Sequence, residues 1–460
     1  MNQNDSEVLG ICRDSVNENA RRGCRHCLIS DIIAKRINNR FPQPFIRAIL
    51  VTCRPLGMFV HSHESRRALM ADYIPFLTSE ESCTLTKTNY PDAAAVRVPI
   101  ERMKAIRASL PSGPLLWVDT ACDGLEKPND RKPRPGRPNE WYDFVLRQPG
   151  VKSLADASNH AKPLKADVAA FVSSMMDAAA AENPDWITFP QLPLVNGNGR
   201  NKINRALAAA AGTWKSKTGF KGKLVLPIVV TKVSQIIGKT ERNPKVAQAV
   251  ACLGDSGAEI FWAVDSSLQE HVSARSLKDD RYPAVIGLHE ELKAKLENTT
   301  TVGGPYWALN LILWSRQLVT HPAIGVASGY QYQLSGGFLS TPTPRLAIPS
   351  LKRRAVADAQ LKTWLGDCLP HIPSTLPVAR AEFQDLRTNF QALRSRAKQQ
   401  VAEFYKRWYD SLTPLTTAAS TNFNDTSAAY QFGKKLPDIP NEEASRRPES
   451  IVDAIMNHAL

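Results

Sequence analysis

Short apolar segments that end in polar or glycine-containing corners recur between Pro111 and Gly337. Stretches of helical length separate them, and this alternation predicts an α/β fold with a parallel sheet. Five or six such units fit a (β/α)8-like barrel, with an open doubly wound sheet as the alternative. The apolar segments are LLWVDTACDG, DWITFPQLPLVNG, KLVLPIVVT, AEIFWAVDSS and HPAIGVASGYQYQLSGG.

Helices are predicted between these strands wherever the apolar pattern has a helical period. The segments are Asp167–Glu182, Lys202–Lys215, Pro244–Gly254 and one within GPYWALNLILWSRQLV. Before residue 111 the periodicity is weak, and SRRALMADYIPFL is predicted to contain a helix. Strand boundaries in that part of the chain are not fixed by the pattern.

The C-terminal part carries a different pattern. Apolar residues recur at intervals of three and four from Phe383 to Trp408, which predicts one long amphipathic helix over 378–411. A short basic helix is predicted before it, in SLKRRAVADAQLKTWL. The long helix either packs on its own domain or docks on a protein partner, and docking predicts an apolar stripe that is solvent-exposed in the isolated chain. Arg380, Arg387 and Arg394 lie seven residues apart beside this stripe.

These patterns divide the chain into four parts. Residues 1–110 form a mixed α/β segment, with a contribution to the barrel left open, and residues 111–340 form the barrel-like core. Residues 341–412 form a basic and amphipathic helical extension. Residues 413–460, rich in Ser, Thr, Asn and Pro, form a flexible tail.

The net charge of the chain indicates a class of partner. The 58 Lys and Arg exceed the 44 Asp and Glu, giving a net charge of +14, so we expect DNA or RNA as a partner. A proline-interleaved basic loop follows the first core strand, and a second basic stretch, NGNGRNKINR, follows the next strand. The residues predicted to contact nucleic acid are Lys127, Arg131, Lys132, Arg134, Arg137, Arg200, Lys202 and Arg205.

Two aspartates are the candidate catalytic residues. Asp119 follows LLWV and Asp265 follows FWAV, so each carboxylate stands where a buried strand opens into the mouth of the predicted barrel. Two carboxylates at one mouth would divide the roles of base and nucleophile. The alternative for both is a cap on the following turn. Asp123, Tyr306 and Tyr330 are predicted to contact the substrate, with packing in the core as the alternative for the aromatic residues.

The same strand ends resemble a known superfamily. LLWVDTACDG resembles the VDSGG-type element of the tRNA-guanine transglycosylase superfamily, which includes DNA-modifying relatives, and GAEIFWAVD is similar to its later strand with a carboxylate nucleophile. The resemblance spans about residues 114–337. It implies that Asp119 recognises the base and that Asp265 attacks the glycosidic carbon. The chain departs from the superfamily at Ala121-Cys122, which replace a glycine pair, and lacks its zinc-binding cysteine cluster.

Metal chemistry has two weaker signals. Cys24 and Cys27 form a lone CxxC, whereas a structural zinc site usually needs two such pairs. His61 and His63 have the HxH spacing of barrel hydrolases, with His271 and His289 as the remaining candidate ligands. We therefore expect no cofactor, with zinc at Cys24 and Cys27 as the alternative.

The sequence thus predicts a nucleic-acid-associated transferase of transglycosylase type that acts on a base at a barrel mouth. The alternatives are a non-catalytic nucleic-acid-binding subunit of a DNA-modification or defence assembly, and a metal-dependent hydrolase that uses His61 and His63. The chain has no run of about 18 apolar residues, and its amino terminus does not have the pattern of a signal peptide. We expect a cytoplasmic protein with no membrane partner and eight reduced cysteines.

Overall fold

The computed structural model describes residues 72–120, 145, 147–149, 151, 165–193, 198–230, 244–265, 281–296, 299–306, 310, 313–314, 316–326, 344–351, 353–412, 432 and 436–437. All of them belong to one compact unit, Leu69–Leu460. Other segments named above, including the CxxC and HxH motifs and the basic loop, lie outside the described residues.

Eight parallel strands form a closed barrel, each paired with the next in chain order and the last paired with the first. The strands are β1 (Ile74–Phe76), β2 (Ala95–Pro99), β3 (Leu115–Asp119), β4 (Trp186–Thr188), β5 (Lys223–Val230), β6 (Ile260–Asp265), β7 (Thr300–Gly303) and β8 (His321–Gly325). The described helices between them are α1 (Glu80–Asn89), α2 (Ile100–Ile106), α3 (Lys165–Ala180), α4 (Asn198–Thr218), α5 (Pro244–Ser256) and α6 (Arg281–Lys295). The (β/α)8 barrel is confirmed, and the open sheet is wrong.

The barrel strands that the pattern predicted are those with the longest apolar runs. In β5, KLVLPIVV is buried at every position after Lys223, as expected for a parallel strand covered on both faces. The helices predicted at α3, α4 and α5 are also present, with ends that differ from the prediction by a few residues. Each of these elements is long and strongly patterned.

Closure depends on β1, a strand of three residues. Ile74 pairs with Ala323 of β8, and Phe76 pairs with Arg97 of β2. The helix predicted around SRRALMADYIPFL is wrong at its end, where β1 lies, because a short continuous apolar run has no period that separates strand from helix. Strands β1 and β2 come before residue 111, so the N-terminal part of the described chain completes the barrel.

Aromatic side chains fill the barrel interior. The rings of Phe76, Trp117 and Trp262 meet edge to face, with centroids 5.4 to 5.6 Å apart. Because these residues come from β1, β3 and β6, the contacts cross the barrel. They form a packed core inside the barrel, below the carboxyl ends of the strands.

A second, smaller hydrophobic core follows the barrel. Strands β9 (Arg345–Ile348) and β10 (Arg353–Val356) form an antiparallel hairpin, and helices α7 (Ala359–Cys368), α8 (Pro377–Thr388), α9 (Phe390–Ser395) and α10 (Ala397–Leu412) follow. The basic helix predicted in SLKRRAVADAQLKTWL is wrong in its first half, where β10 pairs with β9. The helical half begins after Asp358, whose side chain accepts a hydrogen bond from the Leu361 amide at 2.9 Å.

The long helix predicted over 378–411 is divided at Asn389 and Arg396. Backbone hydrogen bonds still cross the first break, because the Asn389 amide donates to Asp385 and the Leu393 amide donates to Asn389. The apolar positions are buried within the chain, among them Phe383, Leu386 and Phe390. The expected solvent-exposed stripe is therefore wrong. A protein partner for this segment stays a prediction, and it would contact another surface.

Helix α10 joins the two cores. The Gln400 side-chain amide donates to the carbonyl of Ala347 and accepts from its amide, both at 2.8 Å. Tyr405 donates its hydroxyl hydrogen to Asn310 at 2.8 Å. Within the part of the chain that the structure describes, the helices are too short or too polar to cross a membrane.

Candidate functional site

A buried ion pair lies at the carboxyl end of β3. Asp119 is the last residue of β3 and is 1% exposed, and Arg97 of β2 is 5% exposed. In the register of the two strands, Arg97 stands beside Trp117, and Asp119 stands beside Pro99. Arg97 Nη2 forms an ion pair with Asp119 Oδ2. The guanidinium thus reaches along the barrel axis towards the strand ends.

The aromatic core supports this pair from below. The Arg97 Cζ atom lies 4.7 Å from the centroid of the Phe76 ring and 5.2 Å from that of the Trp262 ring. Such cation–π contacts stabilise a desolvated guanidinium. The charge is therefore fixed in one place by rings from opposite sides of the barrel.

Hydrogen bonds fix the neighbouring strand end. The indole of Trp117 donates to Thr188 Oγ1 at 2.7 Å, and the hydroxyl of Thr120 donates to the Thr188 carbonyl at 2.8 Å. Trp117, two residues before Asp119, and Thr120, directly after it, are thus both tied to β4. This rigid support orients Asp119, as a binding or catalytic carboxylate requires.

Burying an ion pair removes both charges from water, which is costly unless their hydrogen bonds are satisfied. Among the described residues, Arg97 Nε has no hydrogen-bond partner. An arginine presents five N–H donors in a fixed fork, and a carboxylate only accepts. The pair therefore places donor and acceptor groups side by side near the carboxyl face of the barrel, where active sites of this fold lie.

Asp265 has a different place in its strand. It is the last residue of β6 and pairs in register with Val230. It comes three residues after Trp262, whereas Asp119 comes two residues after Trp117. Strand positions alternate between two faces. Positions 262 and 265 therefore lie on opposite faces of β6, whereas positions 117 and 119 lie on the same face of β3. This counts against the predicted pairing of Asp119 and Asp265 at one bond.

Tyr306 does not form the stacking surface that the sequence predicted. It is 1% exposed, its hydroxyl donates to the Ala263 carbonyl at 3.1 Å, and its ring meets the His289 imidazole edge to face. A ring buried on both faces cannot stack on a base. The structure thus corrects this prediction and assigns Tyr306 to the core. Asp123 and Tyr330 lie outside the described residues.

The basic residues predicted to bind nucleic acid are described in part. Lys202 of α4 is exposed, and Arg200 lies in the same helix. Arg205 forms a bidentate ion pair with Asp255 of α5, at 2.6 and 2.9 Å, so its donors already have a carboxylate partner. Its expected contact with a phosphate stays a prediction. Lys127, Arg131, Lys132, Arg134 and Arg137 lie outside the described residues.

The metal-site predictions fall mostly outside the described chain, which excludes Cys24, Cys27, His61 and His63. Within it, the structure brings together no group of three or more His, Cys, Asp or Glu that would hold a metal ion. His289 is 2% exposed, and burial alone lowers its pKa to about 3. Its Nε2 has no hydrogen-bond partner among the described atoms.

Arg97 is the site residue that sequence reasoning missed. It interrupts the apolar run AAAVRVP with a positive charge, and a charged residue within a buried strand is rarely found without a partner. That signal was present in the sequence. The sequence does not show which residue pairs with Arg97, because the contact with Asp119 depends on the register of β2 against β3.

Comparisons with known proteins add little to this geometry. No known protein family matches the chain, and no curated protein does. One solved structure that it resembles is the carboxyl transferase domain from Rhizobium etli pyruvate carboxylase with 3-bromopyruvate, at 10% identity and a TM-score of 0.33. The match covers 85% of this chain and 61% of that one, so the chain spans less than two thirds of that structure.

Proposed function

We propose that this protein is a nucleic-acid-associated enzyme of transglycosylase type that holds a nucleobase at the carboxyl end of its barrel. The buried Arg97–Asp119 pair is the observation that carries the proposal. It lies where barrel enzymes bind their substrates. The net charge of +14 supports a polyanionic substrate from which the base would come.

The chemistry of the pair favours a base over an anion. Arg97 supplies hydrogen-bond donors and Asp119 supplies acceptors, so the two groups match the edge of a nucleobase that has a carbonyl beside an N–H. A simple anion would contact Arg97 but would be repelled by Asp119. A site of this kind rejects bases that leave one of its buried polar groups unpaired.

Glycosyl transfer also requires a nucleophile at the glycosidic carbon. The resemblance to tRNA-guanine transglycosylases implies Asp265 for this role. The end of β6 lies at the same end of the parallel barrel as the end of β3, and this supports the assignment. The strand phase of Asp265 is the observation against it.

The binding step is tested with Asp119→Asn. Titration calorimetry with free guanine, adenine, cytosine and uracil should show one preferred base for the wild type. We expect the variant to bind it about 10- to 100-fold more weakly, because hydrogen bonds to charged groups contribute about 1.5–3 kcal/mol. Asp367→Asn makes the same chemical change at an exposed site and should bind normally.

Removing one charge of a buried pair also threatens folding. The double variant Arg97→Met/Asp119→Leu replaces both charges with apolar groups and should fold, while it loses base binding. Wild-type protein that binds no base, or a folded double variant that binds as well as wild type, would contradict the proposal.

A non-catalytic nucleic-acid-binding subunit is the second candidate function, favoured by the strand phase of Asp265. Incorporation of a labelled base into tRNA or DNA separates the two. Exchange that is lost in Asp265→Asn supports the enzyme. Base and nucleic-acid binding without any exchange supports the subunit.

A further inference from the structure

A row of three arginines follows helices α8 and α9. Arg380, Arg387 and Arg394 each come directly after a buried residue, namely Ala379, Leu386 and Leu393. Because the buried residues mark one face of the helical path, the arginines lie together along its flank. All three are exposed. We call Arg380, Arg387 and Arg394 the arginine row.

The arginines of the row form no ion pairs within the described chain. Among the described residues, none of its three guanidinium groups has an ion pair or a hydrogen bond. The acidic side chains of α8 accept hydrogen bonds from neutral groups rather than from the row, since Glu382 accepts from Ser350 and Asp385 accepts from Asn389. Elsewhere in the described chain many exposed cations are paired, including Lys398 with Glu81 and Arg205 with Asp255.

The surface is also shaped to hold one of these groups. Gly366 of α7 faces Arg387, and a β-carbon at position 366 would lie 3.0 Å from Arg387 Nε and 3.2 Å from its Cζ. The missing side chain therefore leaves room for the guanidinium between α7 and α8. This limits the positions that Arg387 occupies, which lowers the entropy lost on binding.

We propose that the arginine row binds the phosphate backbone of a nucleic acid, as a contact surface additional to the barrel mouth. Arginine forks match phosphate oxygens, and Arg380 and Arg387, seven residues apart on α8, are about 10.5 Å apart along its axis. That length spans about three phosphates of one duplex strand. The inference rests on the proposed association of this protein with nucleic acid.

A protein partner fits this surface less well. Protein interfaces need an apolar centre with aromatic or aliphatic anchors. The apolar residues of α8 and α9 face inwards, and Val378 is the exposed large apolar residue that the structure shows on these two helices. A surface of unpaired arginines without an apolar centre favours a polyanion.

The test compares two triple variants that lose the same charge. Arg380→Gln/Arg387→Gln/Arg394→Gln removes the row, and Lys217→Gln/Lys221→Gln/Lys293→Gln removes three exposed cations of the barrel. Fluorescence anisotropy with duplex DNA and tRNA at several salt concentrations gives the slope of log K against log salt. The row variant should have a slope shallower by about 2 to 3, since each lost phosphate contact removes about 0.9. The barrel variant should keep most of the wild-type slope.

Gly366→Ala is a second test that leaves the charge unchanged. Alanine is the better helix former, so folding should not suffer, while the new methyl group displaces the Arg387 guanidinium. We expect weaker binding and a slope reduced by up to about 1. Equal slopes for the two triple variants, or a row variant that matches wild type, would overturn the inference.

The controls separate this inference from the proposed function. If the row variant binds nucleic acid like wild type while Asp119→Asn still loses base binding, the row alone is wrong. If wild-type protein binds neither DNA nor tRNA, the proposed function fails together with the row. If an acidic protein such as a poly-glutamate carrier competes as well as DNA does, the partner is not a nucleic acid.

Discussion

Arg97 Nε and His289 Nε2 are both buried nitrogens without a hydrogen-bond partner among the described residues, yet their surroundings differ. Arg97 lies beside a carboxylate and two aromatic rings, so its charge is stabilised. His289 contacts the ring of Tyr306, and burial alone lowers its pKa to about 3. Arg97 is therefore suited to bind a ligand, whereas the neutral His289 belongs to the core.

His289 should make the fold sensitive to acid. The imidazole titrates near 6.5 in the unfolded chain and near 3 in the folded one, so below pH 6.5 the unfolded state binds more protons. Its contribution to stability is present above pH 6.5 and is lost as the pH falls towards 3. At pH 4.5 this amounts to about 2 to 3 kcal/mol.

Urea unfolding at pH 7.5 and pH 4.5 measures this effect. His289→Leu should lose less stability than wild type between the two pH values, by about 2 kcal/mol. The exposed His371 provides the control, and His371→Leu should keep the wild-type dependence. Equal losses in wild type and His289→Leu would contradict the assignment.

Sequence reasoning located half of the candidate site at this scale. Asp119 was predicted because it ends an unmistakable apolar run, and strand ends are where barrels carry polar groups. Arg97 was missed because AAAVRVP was not predicted as a strand. Tyr306 was misassigned because its sequence does not show that Ala263 and His289 surround it.

At the scale of elements, helices α4 and α5 approach each other closely at Gly212. A β-carbon at Gly212 of α4 would lie 2.9 Å from the Ser256 carbonyl oxygen. Glycine is needed there for close approach, although α4 as a helix would be favoured by alanine. Packing of the two helices thus overrides local propensity.

This gives a paired prediction. Gly212→Ala should lower the free energy of unfolding by about 1–3 kcal/mol, because backbone must shift to admit the methyl group. Gly254→Ala in α5 has open space around its new methyl group and should raise it by up to about 1 kcal/mol. Chemical denaturation of the two variants checks both signs, and a stabilised Gly212→Ala would show that the helices separate freely.

Elements were predicted as well as their length allowed. Strand β5 and helices α3, α4 and α5 have patterns long enough to show a period. Strands β1 and β7 have three and four residues, and such short strands are fixed by their neighbours rather than by their own sequence. The hairpin of β9 and β10 was missed for the same reason.

At the scale of the whole molecule, α10 connects the barrel core to the smaller C-terminal core. Val401, Phe404 and Tyr405 pack with the barrel, and Ala397 packs with the other core. The Gln400 side chain satisfies both backbone groups of Ala347 in β9. Strand β9 contributes to both cores as well, since Ala347 packs with the barrel and Leu346 and Ile348 pack with the other core.

Gln400→Ala should weaken this connection. It leaves the amide and the carbonyl of Ala347 buried without that partner, at a cost of about 2–4 kcal/mol. Thermal unfolding should shift to lower temperature, and limited proteolysis should cut first in the C-terminal core. Gln391→Ala, at an exposed position, should change neither result. Equal behaviour of the two variants would show that Gln400 adds no stability.

Because the three-residue strand β1 closes the barrel, it also limits which fragments of the protein can fold alone. A fragment of residues 111–340 would lack β1 and β2, leaving β3 and β8 with unpaired edges. Exposed edges of apolar strands pair with those of other molecules. Such a fragment should aggregate, and a soluble fragment must begin ahead of Tyr73, whose ring packs against Tyr409 near the other end of the described chain.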